Sequence, residues 1–183
     1  MRKFFGLIFL FFLMACEGEI LPKPKAFLDL SYQKATYKEL SVKRPYTFLV
    51  SNTSTLKDKP NNWLKIEYPA LKASINITYR PITNNIRELI QESEKLVVKH
   101  TVKADKISSQ VFTDDKKRVF GTLHEISGDA ASQIQFHVTD SSNHFIKGAL
   151  YFNVKPNYDS ILPAVTYLKK DIMKLIETIE WKD

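Results

Sequence analysis

Four histidines and one cysteine hold most of the reactive side chains in this sequence. His137 and His144 bracket Asp140 and Ser141, so a Ser/His/Asp set occurs within one short stretch. Nucleophilic catalysis needs a base within hydrogen-bond reach of the hydroxyl and a third group that orients the base. No G-x-S-x-G elbow accompanies the set, and Gly128-Asp129-Ala130-Ala131-Ser132 does not fit that elbow. A segment rich in Asp, Ser and Asn is what turn chemistry alone requires. The expectation is therefore a hairpin turn with no catalytic residue, and a protein that is not an enzyme. The competing reading is an envelope hydrolase or small-ligand-binding protein that uses the His137–His144 region, which would need a concave pocket with convergent polar groups.

Metal binding is the second chemistry to weigh. It takes three or four converging ligands. His124, His137 and His144 would share a sheet face if their strands were neighbours, whereas Glu125, next to His124, points to the opposite face. No HExxH and no paired histidines on a helix occur. These histidines read as structural, with no metal and no cofactor expected. His100 closes the apolar stripe of a helix and reads as a half-buried packing residue.

Cys16 is the clearest chemical group. It follows MRKFFGLIFLFFLMA, in which Arg2 and Lys3 precede an apolar run from Phe4 to Leu13. That run is too short for a membrane-spanning helix, which needs roughly 20 apolar residues, and it has the form of a signal-peptide core. Leu13-Met14-Ala15-Cys16 resembles a bacterial lipobox, whose thiol accepts a diacylglyceryl group. Residues 1–15 are thus expected to be a lipoprotein signal peptide. Residues 16–25, with two prolines, form a lipidated tether, and residues 26–183 form a single domain. The covalent diacylglyceryl and N-acyl chains on Cys16 are the only attached group expected. Each buried methylene adds about 0.8 kcal/mol, so two or three chains anchor firmly.

Removing residues 1–15 takes Arg2 and Lys3 from a formal net charge of +7 and leaves +5. No run reaches the five or more like charges of an interaction tail. Export makes nucleic acid an unsuitable partner; anionic headgroups or an acidic protein suit the balance better. With its single cysteine acylated, the chain has no disulfide, so packing must hold it together.

The elements that position these groups follow from periodicity. Residues 26–40 allow a first strand, and Tyr46–Val50 reads as a short one, followed by a polar stretch to Asn62. Trp63–Tyr68, Ala73–Tyr79, Gln133–Thr139 and His144–Val154 alternate with period two, each with one buried and one wet face. On this pattern Gln135, His137 and Thr139 lie on the wet face. Gln110–Phe112 and Val119–Ile126 are further strands. Helical spacing joins Ile86, Leu89, Ile90, Ser93, Leu96, Val97 and His100, with Thr83 as N-cap; Arg87, Glu88, Gln91, Glu92, Glu94, Lys95 and Lys99 take the solvent face. A final helix carries Ile161, Val165, Leu168, Ile172, Leu175, Ile176 and Ile179, capped by Asp159 or Ser160, with Pro163 in its first turn. The expected fold class is α+β, an antiparallel sheet with two amphipathic helices packed on it, similar in element order to the PsbP-like architecture.

Several blocks also resemble a known family. They are LPKPKAF, PYTF, WLKIEYP and HTVKADKISS, then AASQIQFHVTDSSNHFIKGALYF followed by PNYDS, and finally LIETIEW. The stretch from Cys16 to Trp181 resembles the gliding motility lipoprotein GldD family of Bacteroidetes. Gly is common in that family where Ala26 stands, and Arg where Lys147 stands. Lys147 keeps the charge but not the planar fork of arginine. The resemblance implies a lipid-anchored component of gliding motility and the associated type IX secretion machinery. That role is non-catalytic binding or assembly with other envelope proteins of the system. The implied location is the cell envelope, on the periplasmic face of the outer membrane, with the inner membrane or the cell surface as alternatives. The dense polar block itself supplies a candidate partner surface: Asp140, Ser142, Asn143, His144, Lys147, Asn157 and Asp159.

Overall fold

A computed structural model describes residues 32–182 apart from 42, 155 and 156. The expected signal peptide over 1–15, Cys16 and the expected tether over 16–25 lie outside the described residues. The fold is α+β. Its strands are β1 (Tyr37–Glu39), β2 (Tyr46–Thr47), β3 (Leu49–Ser51), β4 (Thr55–Asp58), β5 (Leu64–Tyr68), β6 (Ala73–Pro81), β7 (Lys106–Asp114), β8 (Val119–Ser127), β9 (Ile134–Thr139), β10 (His144–Phe152) and β11 (Glu180–Trp181). Helix α1 spans Ile86–Val98 and α2 spans Tyr158–Glu177.

The main sheet has the order β4-β5-β6-β10-β9-β8-β7, and every pair in it is antiparallel. After β6, helix α1 carries the chain to the far edge. Strands β7 to β10 then return as a meander until β10 pairs with β6. Two small ribbons, β1 with β3 and β2 with β11, flank this sheet.

The two helices cover opposite faces. Alternation along β5, β6, β9 and β10 sends Leu64, Ile66, Ile75, Ile77, Ile134, Phe136, Val138, Ile146 and Leu150 to one side. There they meet Val165, Leu168, Ile172, Leu175 and Ile176 of α2 in the main core. A fully buried side chain of this kind contributes about 1.5–3 kcal/mol, so this layer holds most of the stability. Gly148 is part of it: a Cβ there would lie 2.1 Å from the Phe136 ring, which packs against the glycine.

The second face is polar, and α1 lies across it. Its helix buries only Leu89, Ser93 and Val97, and the accompanying apolar cluster is small, built from Val97, Ile126 and Ala130. Gln135, His137 and Thr139 are therefore not on a wet face: each is about 5 % exposed or less. The period-two pattern assigns sides correctly, but a helix distant in sequence decides whether a side is wet.

Other expectations shift for local reasons. Strand β7 runs over nine residues rather than Gln110–Phe112, since an edge strand tolerates polar residues on both sides. Thr55–Asp58 pairs with β5 although its composition is that of a loop. Strand β10 ends at Phe152, and Val154 is exposed. The N-cap of α1 is Asn85, not Thr83; the Asn85 side chain turns back to accept from the Thr83 N–H at 2.9 Å. The N-cap of α2 is Asn157, whose side chain accepts from the Ser160 N–H. Asp159 then lies in the first turn, where a negative charge favours the helix dipole. Pro163 consequently falls in the second turn, where its ring removes one intrahelical hydrogen bond.

Candidate functional site

The polar hairpin between β9 and β10 is built around one carboxylate. Asp140 Oδ1 accepts from the backbone N–H groups of Ser142, Asn143 and His144 at 3.0, 2.8 and 2.8 Å. Thr139 Oγ1 accepts from the Ser141 N–H and donates to the His144 carbonyl. Burial pushes the Asp140 pKa up, but those N–H groups and the nearby His144 ring outweigh it and hold the carboxyl below the ordinary aspartate range. Ser141 sits at φ 68°, a left-handed turn position.

A second layer braces the turn. Arg118, on the β7–β8 turn at φ 52°, donates from Nη2 to the Asp140 carbonyl and to Ser142 Oγ. The Arg118 carbonyl accepts from the Trp181 indole N–H at 2.9 Å. The Trp181 ring stacks on His144 with centroids 5.2 Å apart, and Tyr79 OH hydrogen-bonds His144 Nδ1 at 3.0 Å. Neither Arg118 nor Trp181 signals this role in sequence, because both arrive from distant segments. Ser141, Ser142 and Asn143 stay exposed at the tip, with the exposed Arg118 against them; the exposed Lys116 and Lys117 precede Arg118 on the β7–β8 turn, and Lys117 Nζ donates to the Glu177 carbonyl.

The residues singled out from the sequence do not form one patch. Asp140 and His144 are buried and hold the turn from within. Ser142 and Asn143 are on its surface. Lys147 lies part-way along β10, with Nζ 3.7 Å from Glu92 of α1. Asn157 and Asp159 sit beyond the far end of that nine-residue strand, roughly 26 Å away at about 3.3 Å per residue. There, with Lys103, Asp105, Asp129 and Tyr158, they line a polar cleft of about 570 Å³.

The Ser/His/Asp set is not assembled either. His137 pairs with Lys147 across the hairpin and points toward α1, whereas His144 points to the α2 face. Asp140 Oδ1 is spent on three backbone N–H groups of the turn rather than on a histidine ring. A cavity of about 270 Å³ on the α1 face is lined by Asn76, Thr78, His100, Gln135 and Lys147, but not by His137. His100 is half-buried, and burial lowers its pKa.

A different cluster emerges on the α1 face. His124 and His137, on adjacent strands, point the same way, and Glu94 of α1 reaches both. Glu94 Oε1 is 3.1 Å from His124 Nε2 and 3.8 Å from His137 Nδ1. Both histidines are buried, each 5 % exposed. Burial lowers the His137 pKa, and His124 lowers it further against the opposing pull of Glu94. Helical periodicity had put Glu94 on the solvent face; the carboxylate instead leans over the edge of α1 onto the sheet.

Under α2 lies a third polar group. The buried Asp171 accepts from Tyr37 OH at 2.7 Å. Burial and this carboxylate raise the pKa of both Tyr37 and Tyr68. The carboxylate thus ties β1 to α2.

The family model described as gliding motility lipoprotein GldD matches residues 17–181. The chain belongs to the GldD family. No curated protein matches it. Membership makes this a gliding motility lipoprotein of the cell envelope, associated with the motility machinery. The matched region takes in both helices and every strand described above. Among the described residues, no helix is long and apolar enough to cross a membrane.

Proposed function

We propose that this GldD-family lipoprotein is a non-catalytic binding and assembly factor for gliding motility and the associated type IX secretion machinery. Acyl chains on Cys16 hold it at the periplasmic face of the outer membrane. The observation that carries the reading is the match over residues 17–181. The build of the β9–β10 turn supports it: its polar groups are spent on holding a rigid, exposed tip rather than on aligning a nucleophile and base. Ser142 and Asn143 at that tip, with Arg118 against them and Lys116 and Lys117 preceding it on the β7–β8 turn, form the partner-facing surface. A basic rim of this kind suits an acidic protein surface.

A photocrosslinker placed at Asn143 in the native organism tests the reading. It is expected to capture an envelope component of the motility or secretion machinery, and Lys116→Glu with Asn143→Trp is expected to reduce spreading and secretion at normal protein level. Unchanged spreading and secretion together with no crosslink refutes the assigned surface. Metabolic labelling with a fatty-acid analogue tests the anchor: the wild type is expected to label and Cys16→Ser is not. Equal labelling of both removes the lipid from the proposal.

A further inference from the structure

We infer that Glu94, His124 and His137 form a binding site for a divalent transition-metal ion, zinc first among them, which clamps α1 onto the sheet. One nitrogen from each imidazole and one carboxylate oxygen lie within 4.8 Å of one another. Two ligands about 2.1 Å from a tetrahedral zinc stand roughly 3.4 Å apart. The Glu94 oxygen sits 3.1 Å from His124 and 3.8 Å from His137, on either side of that spacing. A small movement of the Glu94 side chain closes the set.

A second observation points to a ligand rather than to a plain ion pair. His137 Nδ1 is buried and has no hydrogen-bond partner. At 3.8 Å the Glu94 oxygen is too far to supply one. A buried polar atom left in this state is costly, and a cation seated between the three groups would satisfy it. His124 already has the outer partner that metal-bound imidazoles commonly carry: Ser109 Oγ lies 2.8 Å from its Nδ1, which orients Nε2 toward Glu94.

The surrounding charges permit a cation. Lys147 is cross-strand from His137, but its Nζ is turned to Glu92. The Glu94 side chain is 43 % exposed, which leaves a route for the ion and room for a water as fourth ligand. Two imidazoles and a carboxylate favour zinc, nickel, copper or cobalt over magnesium and calcium, which prefer oxygen alone. The consequence is structural. Helix α1 covers a polar face with few buried apolar residues, and a metal bridge would supply the attachment that packing does not.

The test uses the full mature chain in detergent, stripped of metal with a chelator and dialysed against zinc. Stoichiometric zinc uptake is expected, as is a cobalt-loaded form with intense visible d–d absorption. Glu94→Gln is expected to weaken zinc affinity at least about tenfold, and the exposed Ser109→Ala by about 10–100-fold, the range for outer-shell changes. Both positions lie at the edge of the cluster, so circular dichroism is expected to report unchanged folding. No uptake by a folded wild type overturns the inference. So does uptake that neither variant weakens, because the metal would then sit elsewhere.

Discussion

Replacing Asp140 with alanine tests the claim that one carboxylate organises the β9–β10 tip. The side chain is 5 % exposed and accepts three backbone hydrogen bonds through one oxygen. Bonds to a charged acceptor are each worth about 1.5–3 kcal/mol net. The N–H groups of Ser142 and Asn143 belong to exposed residues and regain water, whereas that of His144 belongs to a buried one. Counting one full bond and fractions of the other two gives a loss of about 2–3 kcal/mol. At about 2–4 °C per kcal/mol this lowers Tm by roughly 4–12 °C. The folded-state pKa of Asp140 lies below its unfolded value, so the charge-dependent stabilisation is complete above the unfolded value of about 3.9 and is lost as pH falls through the folded one. The gap between wild type and Asp140→Ala should therefore be widest at neutral pH and should narrow below about pH 4. Thermal unfolding followed by circular dichroism at several pH values measures it. A loss under about 0.5 kcal/mol at neutral pH, or a gap that widens on acidification, refutes the argument.

Three further substitutions probe the rest of the fold. Gly148→Ala drives a Cβ into the Phe136 ring and is expected to cost about 1–3 kcal/mol by chemical denaturation; a neutral result means Phe136 has room to move. Leu168→Ala empties a fully buried site between α2 and the sheet and should cost about 2–5 kcal/mol. Tyr37→Phe removes the hydroxyl that donates to Asp171 and should cost about 1.5–3 kcal/mol, whereas Glu125→Gln, at the half-exposed pair with Lys169, should cost about 1 kcal/mol or less in the same assay.

The sequence by itself determined the local periods. Alternation in WLKIEY, ASINITY, IQFHVT and HFIKGALYF is set by neighbouring residues, so those strands and the stripes of both helices are legible in the sequence. So is the hairpin turn, because Asp, Ser and Asn at those positions satisfy backbone groups a few residues away. The resemblance of Leu13-Met14-Ala15-Cys16 to a lipobox is equally local and rests on sequence alone. What only the tertiary structure decided is which partner each face meets. Placing β10 between β6 and β9 sets His124 and His137 on the α1 face and His144 on the other, so histidines that look equivalent along the chain are separated by a sheet. Burial of His137 and the turning of Glu94 inward depend on α1, which is contributed by a segment more than 20 residues upstream of His124. The brace of Arg118 and Trp181 around the hairpin likewise joins segments 63 residues apart. Periodicity states which side chains share a side; the chain's return through space settles what covers that side, and with it which polar groups are left to bind.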